Sequence, residues 1–198
     1  FGRLSGNEAC VAGATNMTDQ EFFTLSQSNE TVLFEREASG EVTERPLAGW
    51  QTSQCSAEIN CQLANWSRLD GSGICFGALT GFALPDGAIR GVYAAWVLRS
   101  RLASLAPEQK KVFLPLSPDF VVELISGAED RPYFHKKMAE YLACGSRLGW
   151  LIDPEEKAGY VYRPNVAVQE LENISEISAD PELPGFILDL VEVWNPQL

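Results

Sequence analysis

Long apolar runs are missing from this chain. No uninterrupted stretch reaches the roughly 18 residues that a membrane-spanning helix needs, and the most apolar segments are short and broken by charge. Insertion into a membrane is therefore not expected. Positive charge is scarce as well: 15 Lys and Arg stand against 27 Asp and Glu, a net charge of −12. That balance excludes loose, phosphate-driven attachment to nucleic acid, which rests largely on Lys and Arg. A local basic groove on an acidic body stays open. Zinc chemistry is poorly supplied, with His135 the single histidine. The five cysteines (Cys10, Cys55, Cys61, Cys75, Cys144) form no Cys-x-x-Cys pair and have no histidine at zinc spacing. They read as thiols in a reducing compartment, cytoplasm or organelle, and not as a disulfide or metal framework.

What remains is ordinary globular material. A hydrophobic share of 45% over 198 residues suits one domain with a full core, placed here at 17–198. The small, polar opening "FGRLSGNEACVAGATN" reads as an extended arm over 1–16 rather than a signal peptide. Cleavage of an organellar presequence would account for a start at Phe1, and so would a chain given in part.

Along the domain, "MTDQEFFTLSQSN" places Thr18 as N-cap with Glu21 three residues on, a capping box that predicts a short helix over 18–28. "TVLFERE-ASG-EVTERP" alternates Val32 and Phe34 ahead of a Ser-Gly turn and predicts a hairpin. Cys55, Ile59, Leu63 and Trp66 share one helical face. "GICFGALTGFALPDGAIRGVYAAWVLRS" reads as strand, turn and strand around Pro85-Asp86-Gly87, and "RLASLAPEQKKV" as a helical connector. "DFVVELIS" is a nearly continuous apolar run, as expected of a strand buried on both faces. A helix stopped by Gly145 follows, then the buried strand "LGWLIDP", the strand "GYVYRP" and an apolar strand or short helix in "LPGFILDLVEVW". Strand, helix, strand is a right-handed βαβ unit in a mixed sheet, so the class is α/β or α+β.

One constellation carries chemistry. Asp119 and Glu123 lie four apart on the buried strand and so project to one face. The next helix brings Lys136 and Lys137. Carboxylates facing a lysine can hold a divalent metal, activate water and neutralise a phosphoryl transition state. The same residues admit a structural reading, in which Asp119 starts the strand and Glu123 pairs with a helix lysine. Arg99 and Arg101 are candidates for a phosphate contact, or for a solvated strand end. His135 has no evident partner and reads as a surface or supporting residue. The tryptophans Trp50, Trp66, Trp96, Trp150 and Trp194 read mostly as core.

"TGFALPDGAIR", "LSPDFVVELIS", "KKMAEYLACGSRLGWLIDPEEKAGYVYRP" and "LPGFILDLVEVW", in this order, resemble the Uma family of restriction endonucleases, within the PD-(D/E)XK nuclease superfamily and abundant in cyanobacteria. The likeness runs from about Met17 to Trp194. It implies a restriction-endonuclease-like mixed sheet flanked by helices, with the site at one sheet edge. It implies Glu123 and Lys137 as catalytic residues, with Glu123, Asp119 and Glu41 as metal ligands. If active, the family chemistry requires Mg2+ and DNA. The resemblance also implies pairing as a homodimer.

Two departures weigh against activity. Where the family pattern places Pro-Asp after the "LPDGAIR" turn, this chain has Val92-Tyr93. A phenol with an ordinary pKa near 10 is a poor stand-in for a carboxylate on Mg2+. Ile125 stands where the superfamily motif has lysine, a loss that Lys137 could make good. The expectation is a degenerate nuclease domain that needs no cofactor and serves as a binding or structural subunit of a larger protein assembly, with an active Mg2+-dependent endonuclease as the alternative.

Overall fold

A computed structural model describes residues 17–29, 32–45 and 47–195; the arm expected over 1–16 lies outside them. Helix α1 (Asp19–Ser28) begins where the capping box predicts: the Thr18 hydroxyl accepts from the Glu21 N–H at 3.3 Å and Glu21 returns a bond to the Thr18 N–H at 2.8 Å. The hairpin β1 (Leu33–Arg36) and β2 (Val42–Arg45) follows, then the long helix α2 (Trp50–Asp70), which buries Cys55, Ile59 and Leu63 on one face and ends at Gly71 in the left-handed region.

The glycine-rich stretch holds four strands instead of two: β3 (Gly73–Phe76), β4 (Gly81–Ala83), β5 (Ile89–Gly91) and β6 (Ala94–Leu98). The Pro85-Asp86-Gly87 turn joins β4 to β5, with Gly87 at φ 95° and the Ala88 N–H donating to the Asp86 carboxylate at 3.0 Å. Helix α3 (Arg99–Ala103) and a 3-10 turn over Pro107–Lys111 form the connector. Strand β7 (Phe120–Leu124), helix α4 (Arg131–Ala143) and strand β8 (Leu148–Asp153) make the expected unit, with β7 and β8 parallel. Gly145, at φ 104°, ends α4. Strands β9 (Ala158–Tyr162), β10 (Gln169–Glu172), β11 (Glu176–Ser178) and β12 (Ile187–Asp189) and helix α5 (Val191–Trp194) complete the order.

The strands form a six-stranded sheet ordered β10-β9-β8-β7-β6-β3, a four-stranded sheet β2-β1-β5-β4, and the pair β11-β12. Only β7 and β8 run parallel in the larger sheet, which makes the class a mixed α/β one. Two-residue alternation along β7 sends Phe120, Val122 and Leu124 into a core shared with α2 and α5. Val121 goes to the opposite face, against Phe134, Met138 and Tyr141 of α4. Glu123 shares that second parity, so the fold aims a carboxylate at α4. Between β5 and β6 the chain passes from one sheet to the other through Val92 and Tyr93, and the site forms at this seam. No helix among the described residues is long and apolar enough to cross a membrane.

Candidate functional site

Lys137 projects from α4 into the seam, and its ammonium is fully engaged. Its Nζ lies 2.7 Å from Glu35 Oε1, 2.9 Å from Glu123 Oε1 and 2.8 Å from the Gly91 carbonyl oxygen. Two of these contacts, to Glu35 and Gly91, are hydrogen bonds, and the third, to Glu123, is an ion pair. The Lys137, Glu35 and Glu123 side chains are 2%, 4% and 1% exposed, so these bonds form away from water. The Tyr141 hydroxyl lies 3.1 Å from both Glu123 Oε1 and the Gly91 carbonyl oxygen, and shares its one proton between these two acceptors.

Glu35 is the more saturated carboxylate. Its Oε1 also accepts from the Gly91 N–H at 3.1 Å, and its Oε2 accepts from the Tyr133 hydroxyl at 2.6 Å. Behind it, buried Arg90 forks onto Glu37 at 2.6 and 2.8 Å and onto Glu140 at 2.6 and 2.9 Å, tying the hairpin to α4. Burial alone would raise the Glu35 carboxyl; the charges of Lys137, Arg45 and Arg90 outweigh it and hold the pKa down to about 2 from an ordinary 4.5. At Glu123 the balance reverses. Burial raises its carboxyl, against the pull of Lys137, because the neighbouring Glu35 charge adds to the penalty.

Tyr93 stands one step beyond the β6–β7 pairing of Ala94 with Val122, which places it across from Glu123. Its phenol is pushed up to about 12, by burial first and then by the Glu123 charge, and stays neutral. The Tyr93 carbonyl accepts from Asn60 Nδ2 of α2 at 2.8 Å, which fixes this crossing between sheets. Glu35, Tyr93, Glu123 and Lys137 line one end of a cavity of about 560 Å3 whose remaining wall is largely apolar, including Leu33, Leu79 and Phe113.

Two expected ligands do not reach this place. Asp119 has the strand parity of Glu123, but four residues along a strand span about 13 Å. Its carboxylate is used at the other end of β7, accepting from the Leu98 N–H at 2.9 Å and pairing with Arg101 at 3.0 Å. Glu41 sits exposed at the tip of the hairpin, where its carbonyl closes the turn by accepting from the Glu37 N–H at 2.8 Å. The hairpin acid that does enter is Glu35. The Val32–Phe34 alternation predicted the hairpin without singling out Glu35. Its buried position depends on α4, whose Tyr133 and Lys137 receive it, and nothing in the hairpin's own sequence announces that.

Other candidates have structural partners. Arg99 Nε donates to the Gly71 carbonyl at 2.8 Å, and Arg101 pairs with Asp119, so both serve strand ends. His135 Nδ1 bonds the Tyr162 hydroxyl and its ring meets Tyr160 edge-on at 4.8 Å. Trp66, Trp96, Trp150 and Trp194 pack into the core, whereas Trp50 is exposed.

The residues fit a divalent metal badly. Among the described residues no group of three or more His, Cys, Asp or Glu side chains converges to hold one. Both carboxylates at the seam already share the Lys137 ammonium, with the Arg45 charge beside them, and the third position is a neutral phenol.

A sequence model of the Uma2 family, described as "Putative restriction endonuclease", matches residues 19–191. The chain belongs to this family. Its fold is similar to the crystal structure of a "putative nuclease belonging to DUF820" from Anabaena variabilis, at a TM-score of 0.75 and 18% identity, covering 90% of this chain and 98% of that one. No curated protein matches the chain. In family terms, the seam between the hairpin, β7 and α4 is where Glu123 and Lys137, matched from the motifs, come together with Glu35.

Proposed function

We propose that this member of the family has given up phosphodiester cleavage and works as a protein-binding subunit. The observation that carries this reading is Lys137, which hydrogen-bonds Glu35 and the Gly91 carbonyl and pairs with Glu123. A metal-dependent nuclease needs a carboxylate set with negative charge to spare for a dication and for the water it activates. Here the two carboxylates face one ammonium inside the trio and Arg45 beside it, and Tyr93 brings no charge. The acidic body, at net −12, adds no attraction for a phosphate backbone.

The convergence of Glu35, Glu123 and Lys137 at one seam is also the observation that favours the second reading, an active Mg2+-dependent endonuclease. Calorimetric titration of Mg2+ and Mn2+ separates the two, run on the unaltered chain, on Tyr93→Asp and on Glu123→Ala, with supercoiled plasmid cleavage alongside. The expected result is no metal uptake and no nicking by the unaltered chain, and uptake by Tyr93→Asp. Metal uptake by the unaltered chain that is lost in Glu123→Ala, together with nicking, would sink the binding-subunit reading.

A further inference from the structure

Hairpin β1–β2 is held to the rest of the molecule in two unlike ways. One side is apolar: Val42 is buried with Phe22 of α1 and Ile89 of β5, and Phe34 and Phe113 pack against them. Arg36 anchors this side, donating to the Met17 carbonyl at 2.8 Å and the Gly87 carbonyl at 3.1 Å, and pairing with Asp19. Backbone pairing adds little. Among the described residues β2 is the outer strand of its sheet, and β1 meets β5 in register only at Arg36 and Ile89.

The side towards α4 is charged. Glu35 meets the Lys137 ammonium at 2.7 Å and the Tyr133 hydroxyl at 2.6 Å. Glu37 takes both arms of Arg90, which is itself fastened to Glu140 of α4 at 2.6 Å. Arg45 lies over the rings of Tyr133 at 4.7 Å and Phe134 at 5.0 Å, beside the Glu35 and Glu123 charges. Between the two sides the hairpin borders open space, since Leu33, Phe34, Glu35 and Arg45 all stand on the cavity wall.

Well-packed apolar groups would hold such a seam at least as firmly as buried ion pairs, because each buried charge gives up its water. The two kinds of contact differ in what opening does. Parting apolar surfaces brings them into water at a cost, whereas parting an ion pair returns both charges to water. A charged edge opposite an apolar anchor therefore makes a joint that can open as a unit. We propose that the β1–β2 hairpin is a hinged flap, held shut by an ionic latch of Glu35 and Glu37 against Lys137 and Arg90. Its release opens the seam and the cavity while the six-stranded sheet stays folded. The flap controls access to Lys137 and Glu123 whether the seam binds a partner or cleaves a phosphodiester, so it does not depend on the loss of cleavage.

Native-state hydrogen exchange on the full chain, read amide by amide, tests it. The Gly91 N–H, which donates to Glu35 at 3.1 Å, reports the latch, and the Ile125 N–H, which donates to the Ile152 carbonyl at 2.9 Å, reports the large sheet. In the unaltered chain the Gly91 amide should exchange faster than that of Ile125, by way of a partial opening. Two variants weaken the latch. Glu37→Gln removes a charge from a partly exposed position, and Tyr133→Phe removes one hydroxyl while keeping the ring beneath Arg45. Each should speed Gly91 exchange roughly tenfold, the loss expected of one hydrogen bond to a charged group, and leave Ile125 unchanged. Equal acceleration at Ile125 overturns the proposal, because the latch is then part of one cooperative fold. Gly91 exchange unchanged in both variants, or no faster than Ile125 in the unaltered chain, overturns it as well.

Discussion

A buried lysine between two buried glutamates is stable only as a set. Replacing Lys137 with Met keeps the stem and removes the charge, leaving Glu35 and Glu123 facing each other without their shared cation. Breaking a buried ion pair from one side typically costs about 3–5 kcal/mol, and urea unfolding should find Lys137→Met destabilised in that range. Adding Glu123→Gln should recover part of the loss, since the two changes act on one network. The Glu35 carboxyl also gives the acid limb a definite sign. Its folded pKa, about 2, lies below the ordinary 4.5, so its stabilisation is whole above about pH 4.5 and fades as pH falls toward 2. Glu35→Gln should flatten this limb in melts run between those values. An acid limb as steep as that of the unaltered chain would contradict the assignment. Glu123 was legible as a site residue because a carboxylate inside "DFVVELIS" needs a partner. Glu35 was not, because its partners come from α4, roughly a hundred residues away.

At the scale of elements, local rules were sufficient where one segment's own sequence decides the outcome. The capping box started α1, Gly145 ended α4, and the buried runs gave β7 and β8 with a helix between them. They failed over 73–98, where periodicity suggested two strands and the chain instead changes sheets. The polar strands β10 and β11 were also missed, since pairing and not hydrophobic pattern makes them strands. Close packing in this region is open to test. A Cβ on Gly73 would lie 2.0 Å from the Trp96 indole, a rigid ring buried and held by Ser67 at 3.0 Å. A Cβ on Gly149 would lie 2.3 Å from Met138 Cε, the end of a flexible chain. Overpacking costs typically about 1–3 kcal/mol, and Gly73→Ala should fall toward the upper part of that range with Gly149→Ala below it, as measured by thermal melts of the two variants. The reverse order would mean that Trp96 has freedom the fold does not suggest.

For the whole molecule, family and fold class were readable because motif order spans nearly the entire domain; the occupant of the seam was not, because it is set by which side chains meet across two sheets. With net charge −12 the chain repels polyanions, most strongly at low salt where screening is weakest. Filter binding to duplex DNA at low salt should show no retention, and added salt should not create any. Salt-dependent retention would instead reveal a basic groove.

The adjacent lysines of α4 provide a built-in pair of reporters. Lys136 is largely exposed, in loose contact with Glu37 at 3.7 Å, while Lys137 is buried and paired with Glu35. An amine-acylating reagent should therefore label Lys136 promptly in the native protein and reach Lys137 only through opening of the seam. The ratio of the two adducts, read by peptide mass spectrometry, then becomes a clock for that opening, with the neighbouring residue as its internal standard. Any ligand seated in the cavity should slow the clock at Lys137 and leave Lys136 unchanged.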